Sequence, residues 1–282
     1  MNNNLIPQGE AIVNSVEEKN GVYFLNTTYQ ENEIPIYMTK DGEVLFIQGS
    51  INMKEFVAMK LEAEKQQGQN QKQEQKLEIP KTEKPDVKLF IMTYCPYGLQ
   101  AEKAFLPAYN LLKDKADMTI NFVSYAMHGK KELDENLRHY CIQLEQDDKF
   151  YEYASCFAIN DDYEKCLNDA KVDKTKLDSC VARVDKQYNM TGMHNDKSTW
   201  SGGRFPMFNV EADLNKKYEV RGSPTFVIND KVVSVNRSPE AIKEAVCSAF
   251  INPPEECSQK LSEAAASPGF GGGTGESTTA KC

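Results

Sequence analysis

Apolar residues fall into two rhythms along this chain, short β-type runs near the start and alternating β and helical patterns later. Gly21-Val22-Tyr23-Phe24-Leu25, Ile34-Pro35-Ile36-Tyr37-Met38 and Val44-Leu45-Phe46-Ile47 are rich in β-branched and aromatic residues and predict three strands. Lys40-Asp41-Gly42 is a tight-turn signal between the last two. Three strands alone are marginal, so this unit needs a helix, the rest of the chain or a second copy of itself as cover. Residues 52–66 are the candidate helix, and a polar, Gln-rich stretch from Gln66 to Lys76 reads as a solvated linker. Val87-Lys88-Leu89-Phe90-Ile91-Met92 then suits a buried strand. Leu99, Ala104, Phe105, Ala108, Leu111 and Leu112 follow at helical spacing, and Met118–Val123 is a second strand, which completes a βαβ unit.

Residues 129–190 are charged and rich in helix formers, with Leu133, Leu137, Cys141 and Leu144 at helical intervals, which predicts three or four short inserted helices. After a loop with Trp200, a helix over about Val210 to Tyr218 leads to Gly222-Ser223-Pro224. Thr225–Ile228 and Val232–Val235 pair as a hairpin across Asn229-Asp230-Lys231, and Ser238-Pro239-Glu240 caps a final helix running through Ala249. The resulting division is a β-rich unit over 1–62, a linker over 63–85, a main domain over 86–252 and a disordered, Gly/Ser-rich tail over 253–282.

Chemistry concentrates at Cys95, which opens a Cys-Pro-Tyr-Gly turn where a strand runs into a helix. Pro96 suits the first helical turn, where its missing N–H would be unpaired anyway. A thiol at this N-terminus faces unpaired amide donors and the positive end of the macrodipole, so Cys95 is expected to be acidic, accessible and reactive. The competing reading is a buried cysteine that merely packs. Three positions on, where dithiol oxidoreductases carry a second cysteine, stands Gly98. A mixed disulfide on Cys95 must therefore be released by a substrate thiol, by a small thiol such as glutathione, or by another cysteine of this chain. That requirement favours isomerisation or assisted reduction over direct oxidation.

Strand, Cys-Pro-Tyr turn, helix, helical insertion, Ser223-Pro224-Thr225 and closing hairpin together resemble the DsbA-type branch of the thioredoxin superfamily. The resemblance implies an α/β, thioredoxin-like fold with a helical insertion, joined to a small N-terminal β-rich domain. It also implies a cis peptide before Pro224, with Ser223, Pro224 and Thr225 aligning the substrate backbone beside Cys95 and Pro96. Tyr97, in the same turn, is either a substrate platform or solvent-facing filler. His128-Gly129, Glu132, Asn136 and Cys141 are spaced as in the signature of gamma-interferon-inducible lysosomal thiol reductase, but Ala126 and Leu133 stand where that signature has cysteines. Tyr37-Met38-Thr39-Lys40-Asp41-Gly42 followed by Gln48-Gly49 resembles the dimerisation domain of the disulfide isomerase DsbC and implies a homodimer.

Cys141, Cys156, Cys166, Cys180, Cys247 and Cys257 allow fifteen pairings. Cys247–Cys257 is the simplest, and Cys156–Cys166 with Cys141–Cys180 is preferred within the insertion; six reduced thiols are the alternative in a cytosolic protein. Cys282 ends the tail, whose reach of roughly 25 Å would let it visit Cys95 as a tethered resolving thiol. An incidental cysteine on a disordered end is the favoured reading of that residue. No metal site is expected, since there is no Cys-x-x-Cys pair and His128, His139 and His194 show no ligand spacing.

Composition narrows the function further. The net charge of -9 argues against nucleic acid and anionic membranes as partners. No run is long enough for a transmembrane helix, and Met1-Asn2-Asn3-Asn4-Leu5-Ile6-Pro7 does not read as a signal peptide. Eight cysteines nevertheless favour an extracytoplasmic compartment, whether periplasm, cell envelope or secreted space. The chain is expected to be a thiol:disulfide isomerase or assisted reductase acting on protein or peptide disulfides, with a redox partner protein or small thiol and no cofactor beyond glutathione as a co-substrate. A non-catalytic chaperone module and a glutathione-linked monothiol reductase or transferase are the alternatives.

Overall fold

The computed structural model describes residues 12–19, 21–29, 32–42, 45–47 and 79–273. The chain divides into two compact units, Met1–Lys76 and Leu77–Cys282. In the first, β1 (Ile12–Lys19), β2 (Val22–Tyr29), β3 (Asn32–Thr39) and β4 (Leu45–Ile47) form one antiparallel sheet in sequence order. The sequence pattern missed β1. Its Ile12, Val13 and Val16 are exposed and the rest is polar, so burial imposes no alternation on the strand. The expected turn is present, with the Gly42 N–H donating to the Thr39 carbonyl at 2.9 Å and Gly42 at a φ of 76°. Val44, Gln48-Gly49, the expected helix over 52–66 and the linker up to residue 78 lie outside the described residues.

The second unit holds a sheet in the order β6-β5-β7-β8, built from β5 (Asp86–Ile91), β6 (Asp117–Phe122), β7 (Thr225–Ile228) and β8 (Lys231–Val233). β5 and β6 are parallel and joined through α1 (Pro96–Leu112), while β7 and β8 are antiparallel. This is the thioredoxin-like arrangement. The insertion between β6 and β7 carries α2 (Lys130–Glu145), α3 (Asp147–Asn160), α4 (Tyr163–Asp169), α5 (Lys174–Tyr188), α6 (Met190–Asn195) and α7 (Ala212–Lys217). Then α8 (Pro239–Ser248) closes the unit, its N-cap Ser238 accepting from the Ala241 N–H at 3.3 Å. No described helix is long and apolar enough to cross a membrane.

The core packs the apolar face of α1 (Leu99, Ala104, Phe105, Ala108, Leu112) and the sheet residues Val87, Leu89, Ile91 and Ile120, all fully or almost fully buried. In α2, Leu133, Leu137 and Cys141 point inward as expected, but Leu144 is 54% exposed and Ile142 holds the core position instead. β6 is an edge strand, and its free side is closed by side chains. Gln143 exchanges hydrogen bonds with the backbone of Ile120 at 2.9 and 3.0 Å. Glu211 accepts from the Phe122 N–H at 2.6 Å, and Asn215 bonds the Phe122 carbonyl and the Ser124 N–H at 2.8 and 3.1 Å. Burial pushes the Glu211 carboxyl up to about 7, against the lowering effect of its bonds from Phe122 and Asn121.

Three boundaries differ from the sequence reading. The hairpin turn is only Asn229-Asp230, both at positive φ (47° and 64°), so Lys231 already belongs to β8 and pairs with Ile228. Residues Pro80 to Pro85 are part of the second unit rather than linker: Thr82 donates its N–H to the Ala249 carbonyl and accepts from Ile251, both at 2.9 Å. The stretch 253–273, expected as disordered tail, is placed by specific contacts. A disulfide joins Cys247 to Cys257, a short helical turn spans Glu255–Ser258, and backbone bonds tie Ala266 to Arg237 and Gly269 to Pro96. Hydrogen bonds from Gln100 and Lys103 and the packing of Phe270 hold this segment, and composition alone cannot distinguish that from disorder. Cys282 lies outside the described residues.

Candidate active site

The Cys95 turn is built by the end of β5. The Cys95 N–H donates to the Met92 carbonyl at 3.0 Å, the Leu99 N–H donates to the Cys95 carbonyl at 2.8 Å, and Cys95 is the N-cap of α1 with Pro96 at the first helical position. No acidic residue occupies the first turn of α1, so nothing there opposes an anion at the cap. β7 pairs with β5 so that Phe90 faces Thr225, and this register brings Ser223 and Pro224 beside the turn. The Ser223–Pro224 peptide is cis. Ser223 contributes twice: its Oγ accepts from the Met92 N–H at 2.9 Å, and its carbonyl lies 3.7 Å from Cys95 Sγ. Thr225 Oγ1 bonds the Gly222 carbonyl at 2.9 Å.

The accessible sulfur expected at this position is not found. Cys95 is 1% exposed, packed with Phe90, Met92, Val123, Tyr218 and Val227, and it is disulfide-bonded rather than a free thiol. The apolar side chains of the sheet and of Tyr218 close the sulfur off from solvent in this disulfide-bonded state. Gly98 has a physical reason of its own. A Cβ there would sit 2.5 Å from Ser223 Oγ and 2.8 Å from the Met92 carbonyl oxygen, so the turn has no space for a second cysteine.

Around the turn, Tyr97, Gln100, Val235, Arg237 and Pro268 line a groove of about 700 Å³. A smaller one of about 180 Å³ runs along Pro224, Thr225, Val233, Val235 and Arg237. Val235 and Arg237 line both, so the Pro224 side and the Tyr97 side are neighbours. Tyr97 stacks under the Arg237 guanidinium at 5.2 Å, a cation–π contact that fixes its ring at the groove. Pro96 offers its carbonyl to the Gly269 N–H at 2.9 Å. Cys95, Pro96, Tyr97, Ser223, Pro224 and Thr225 are thus brought together.

The sequence reading gave no role to the supports of the turn. Asn136 Oδ1 accepts from the Thr93 N–H and hydroxyl at 3.2 and 2.8 Å. Glu132 accepts from the Tyr94 N–H at 3.2 Å and meets His128 Nδ1 at 2.6 Å. The spacing of Glu132 and Asn136 was the available signal, because residues four apart share a helix face, and His128 stands just ahead of the cap of α2. Deeper in the same helix, His139 is fully buried between Glu102 of α1 at 3.2 Å and Glu135 at 3.0 Å, and the Tyr153 hydroxyl donates to Glu135 at 2.5 Å. Burial alone would push the imidazole down, but the two carboxylates outweigh it and raise its pKa to about 9. The six remaining described cysteines close as Cys141–Cys180, Cys156–Cys166 and Cys247–Cys257.

No family model matches this chain, and no curated protein matches it. Among solved structures it is similar to a reduced disulfide bond oxidoreductase (DsbG) from Mycobacterium tuberculosis, at 16% identity over 62% of this chain and 82% of that one, with a TM-score of 0.42. The oxidised DsbA of the same organism is similar at 15% identity over 62% and 87%, with a TM-score of 0.43. Oxidised BdbD from Bacillus subtilis is similar at 22% identity over 60% and 89%, with a TM-score of 0.37.

Proposed function

We propose that this protein is a thiol:disulfide exchange enzyme acting on protein or peptide disulfides through Cys95. The observation that carries the reading is the position of the sulfur: at the N-cap of α1, 3.7 Å from the Ser223 carbonyl, on the strand-end that precedes β7. In the reduced chain the amide donors of the first turn and the helix dipole favour the Cys95 thiolate, which attacks a substrate sulfur. The substrate chain lies along Ser223, Pro224 and Thr225 in extended form, with Tyr97 and Arg237 bounding its other side. The resulting mixed disulfide is released by a thiol from outside the turn, which Gly98 cannot supply. Glutathione is a co-substrate in this proposal, and three disulfides in the second unit fit an oxidising compartment. A homodimer through β1, an edge strand with exposed Ile12 and Val16, completes it.

The experiment compares the full-length reduced chain with its Cys95→Ser variant in insulin reduction and in refolding of scrambled ribonuclease, with and without glutathione. Exchange that falls to background in Cys95→Ser, together with a pH-dependent alkylation midpoint for Cys95 below that of a free thiol, supports the reading. Equal activity in the two proteins overturns it. A variant that still suppresses client aggregation while neither protein exchanges disulfides identifies a binding module instead, a reading that the buried setting of the sulfur favours.

A further inference from the structure

A single guanidinium joins the two grooves beside the Cys95 turn. Arg237 lines the larger one together with Tyr97 and the smaller one together with Pro224 and Thr225. Its Nη1 donates to Gln100 Oε1 at 2.7 Å, and Gln100 Nε2 donates to the Ala266 carbonyl at 2.7 Å. The Ala266 N–H donates back to the Arg237 carbonyl at 3.1 Å, which closes the ring of bonds. The Tyr97 ring centroid lies 5.2 Å from the guanidinium carbon. The side chain is therefore fixed before any ligand arrives, and little rotamer freedom is left to lose on binding.

What the arrangement lacks is a counter-charge. Of the five arginines, Arg138, Arg183 and Arg221 meet carboxylates, and Arg204 is exposed. Arg237 is half-buried, and no carboxylate among the described residues forms an ion pair with it, although the chain carries 42 acidic residues. Glu263 lines the larger groove without pairing with it. Burial pushes the pKa of Arg237 down from its ordinary value, as expected of a charge taken partly out of water with no anion to offset it. Gln100 and Tyr97 are neutral partners that occupy one N–H donor and one face of the guanidinium plane. The remaining donors belong to the planar fork that pairs with a carboxylate through two parallel hydrogen bonds.

We propose that Arg237 is a specificity-determining residue that pairs with the carboxylate of an Asp or Glu side chain near the reacting cysteine of the client, so that acidic disulfide segments are the preferred substrates; the inference rests on the exchange activity and substrate course proposed above. A client laid in extended form along Ser223, Pro224 and Thr225 follows the smaller groove to Arg237. There a side chain a few residues from its cysteine meets the guanidinium. A lysine at the same place brings like charge against it. The net charge of -9 repels an acidic client at long range. The preference is local for that reason, and it is read as a ratio of rates between matched clients rather than as an overall rate.

The test uses the full chain with Cys95 reduced, as wild type, Arg237→Gln and Arg237→Glu, and measures the rate at which Cys95 forms an adduct. The probes are peptide disulfides alike except for one Glu, Gln or Lys, placed at successive positions on either side of the cysteine. In wild type, Glu at one or more positions should react about fivefold faster than Gln there, with Lys slower than both. That ratio should collapse towards one in Arg237→Gln and invert in favour of Lys in Arg237→Glu. Equal rates for Glu and Gln peptides at every position in wild type overturn the inference and leave the exchange reading intact. A Glu preference that survives in Arg237→Gln does the same. If oxidised glutathione alone loses rate in Arg237→Gln, the guanidinium recognises a small thiol rather than an acidic client, and the inference falls. Failure of Cys95 to form an adduct with any probe overturns the exchange reading and this inference with it.

Discussion

In the first unit, four antiparallel strands contain neither a cysteine nor a histidine, and among its described residues only Leu25, Thr27 and Ile36 are buried. In the second unit a sheet of equal strand number is wrapped by helices, stapled by disulfides that include Cys141–Cys180, Cys156–Cys166 and Cys247–Cys257, and threaded by buried polar contacts. Both sheets rest on the same strand chemistry, so strand propensity does not explain the contrast. Placing a reactive sulfur needs a fixed turn, and fixing that turn takes Asn136, Glu132 and Ser223 held by a rigid surround. A sheet that places no such group needs no such surround, and the first unit leaves the edge strand β1 open.

The contrast can be broken most strongly by unstapling the second unit. Cys141–Cys180 closes a loop of 39 residues, and its loss should cost about 4 kcal/mol on the loop-entropy scale. The double variant Cys141→Ala/Cys180→Ala should unfold at lower urea in its second unit, with the transition of the first unit unmoved. A joint shift of both transitions would show that the two units do not unfold separately. Next in size is a pH effect confined to the second unit. The folded pKa of His139 is raised to about 9, above its unfolded value, so its contribution is fully present below about pH 6.5 and is lost as pH rises through about 9. The shift corresponds to roughly 3 kcal/mol at most. Urea titrations of oxidised protein between pH 6 and pH 10 should show that decline, and a flat profile would remove His139 from the account.

Smaller still is Gly98→Ala, which forces a methyl against Ser223 Oγ and the Met92 carbonyl. It should destabilise the second unit by about 1–3 kcal/mol and slow exchange at Cys95, read by unfolding and by adduct formation; unchanged values for both would show that the turn yields readily. At the low end, Val16→Lys on exposed β1 should change stability by no more than about 0.5 kcal/mol while shifting a dimer towards monomer in light scattering. A dimer that persists would place association elsewhere.

Much of the second unit was legible in its residues. The βαβ pattern and the capped final helix follow from spacing, because buried apolar faces and short loops leave their period in the sequence, and the three cysteine pairs are the ones preferred among the fifteen possible. The expected helix over 210–218 is present in shortened form as Ala212–Lys217. What escaped were polar residues turned inward. Glu132, Glu135, Asn136 and His139 are fully buried, yet in sequence they look like a solvated face, since their partners lie on α1, α3 and the Cys95 turn. Segment 264–273 escaped for a related reason. Its anchors, Gln100, Lys103 and Arg237, lie far away in the chain, and a glycine-rich stretch shows no periodicity for them to reveal.

The side chains of Gln143, Glu211 and Asn215 along β6 have a consequence for any extended chain that approaches this edge. An incoming extended client has no vacant amide or carbonyl to zip onto at Ile120 or Phe122. Strand addition is thereby refused at this edge, which guards the sheet against edge-to-edge pairing with other chains.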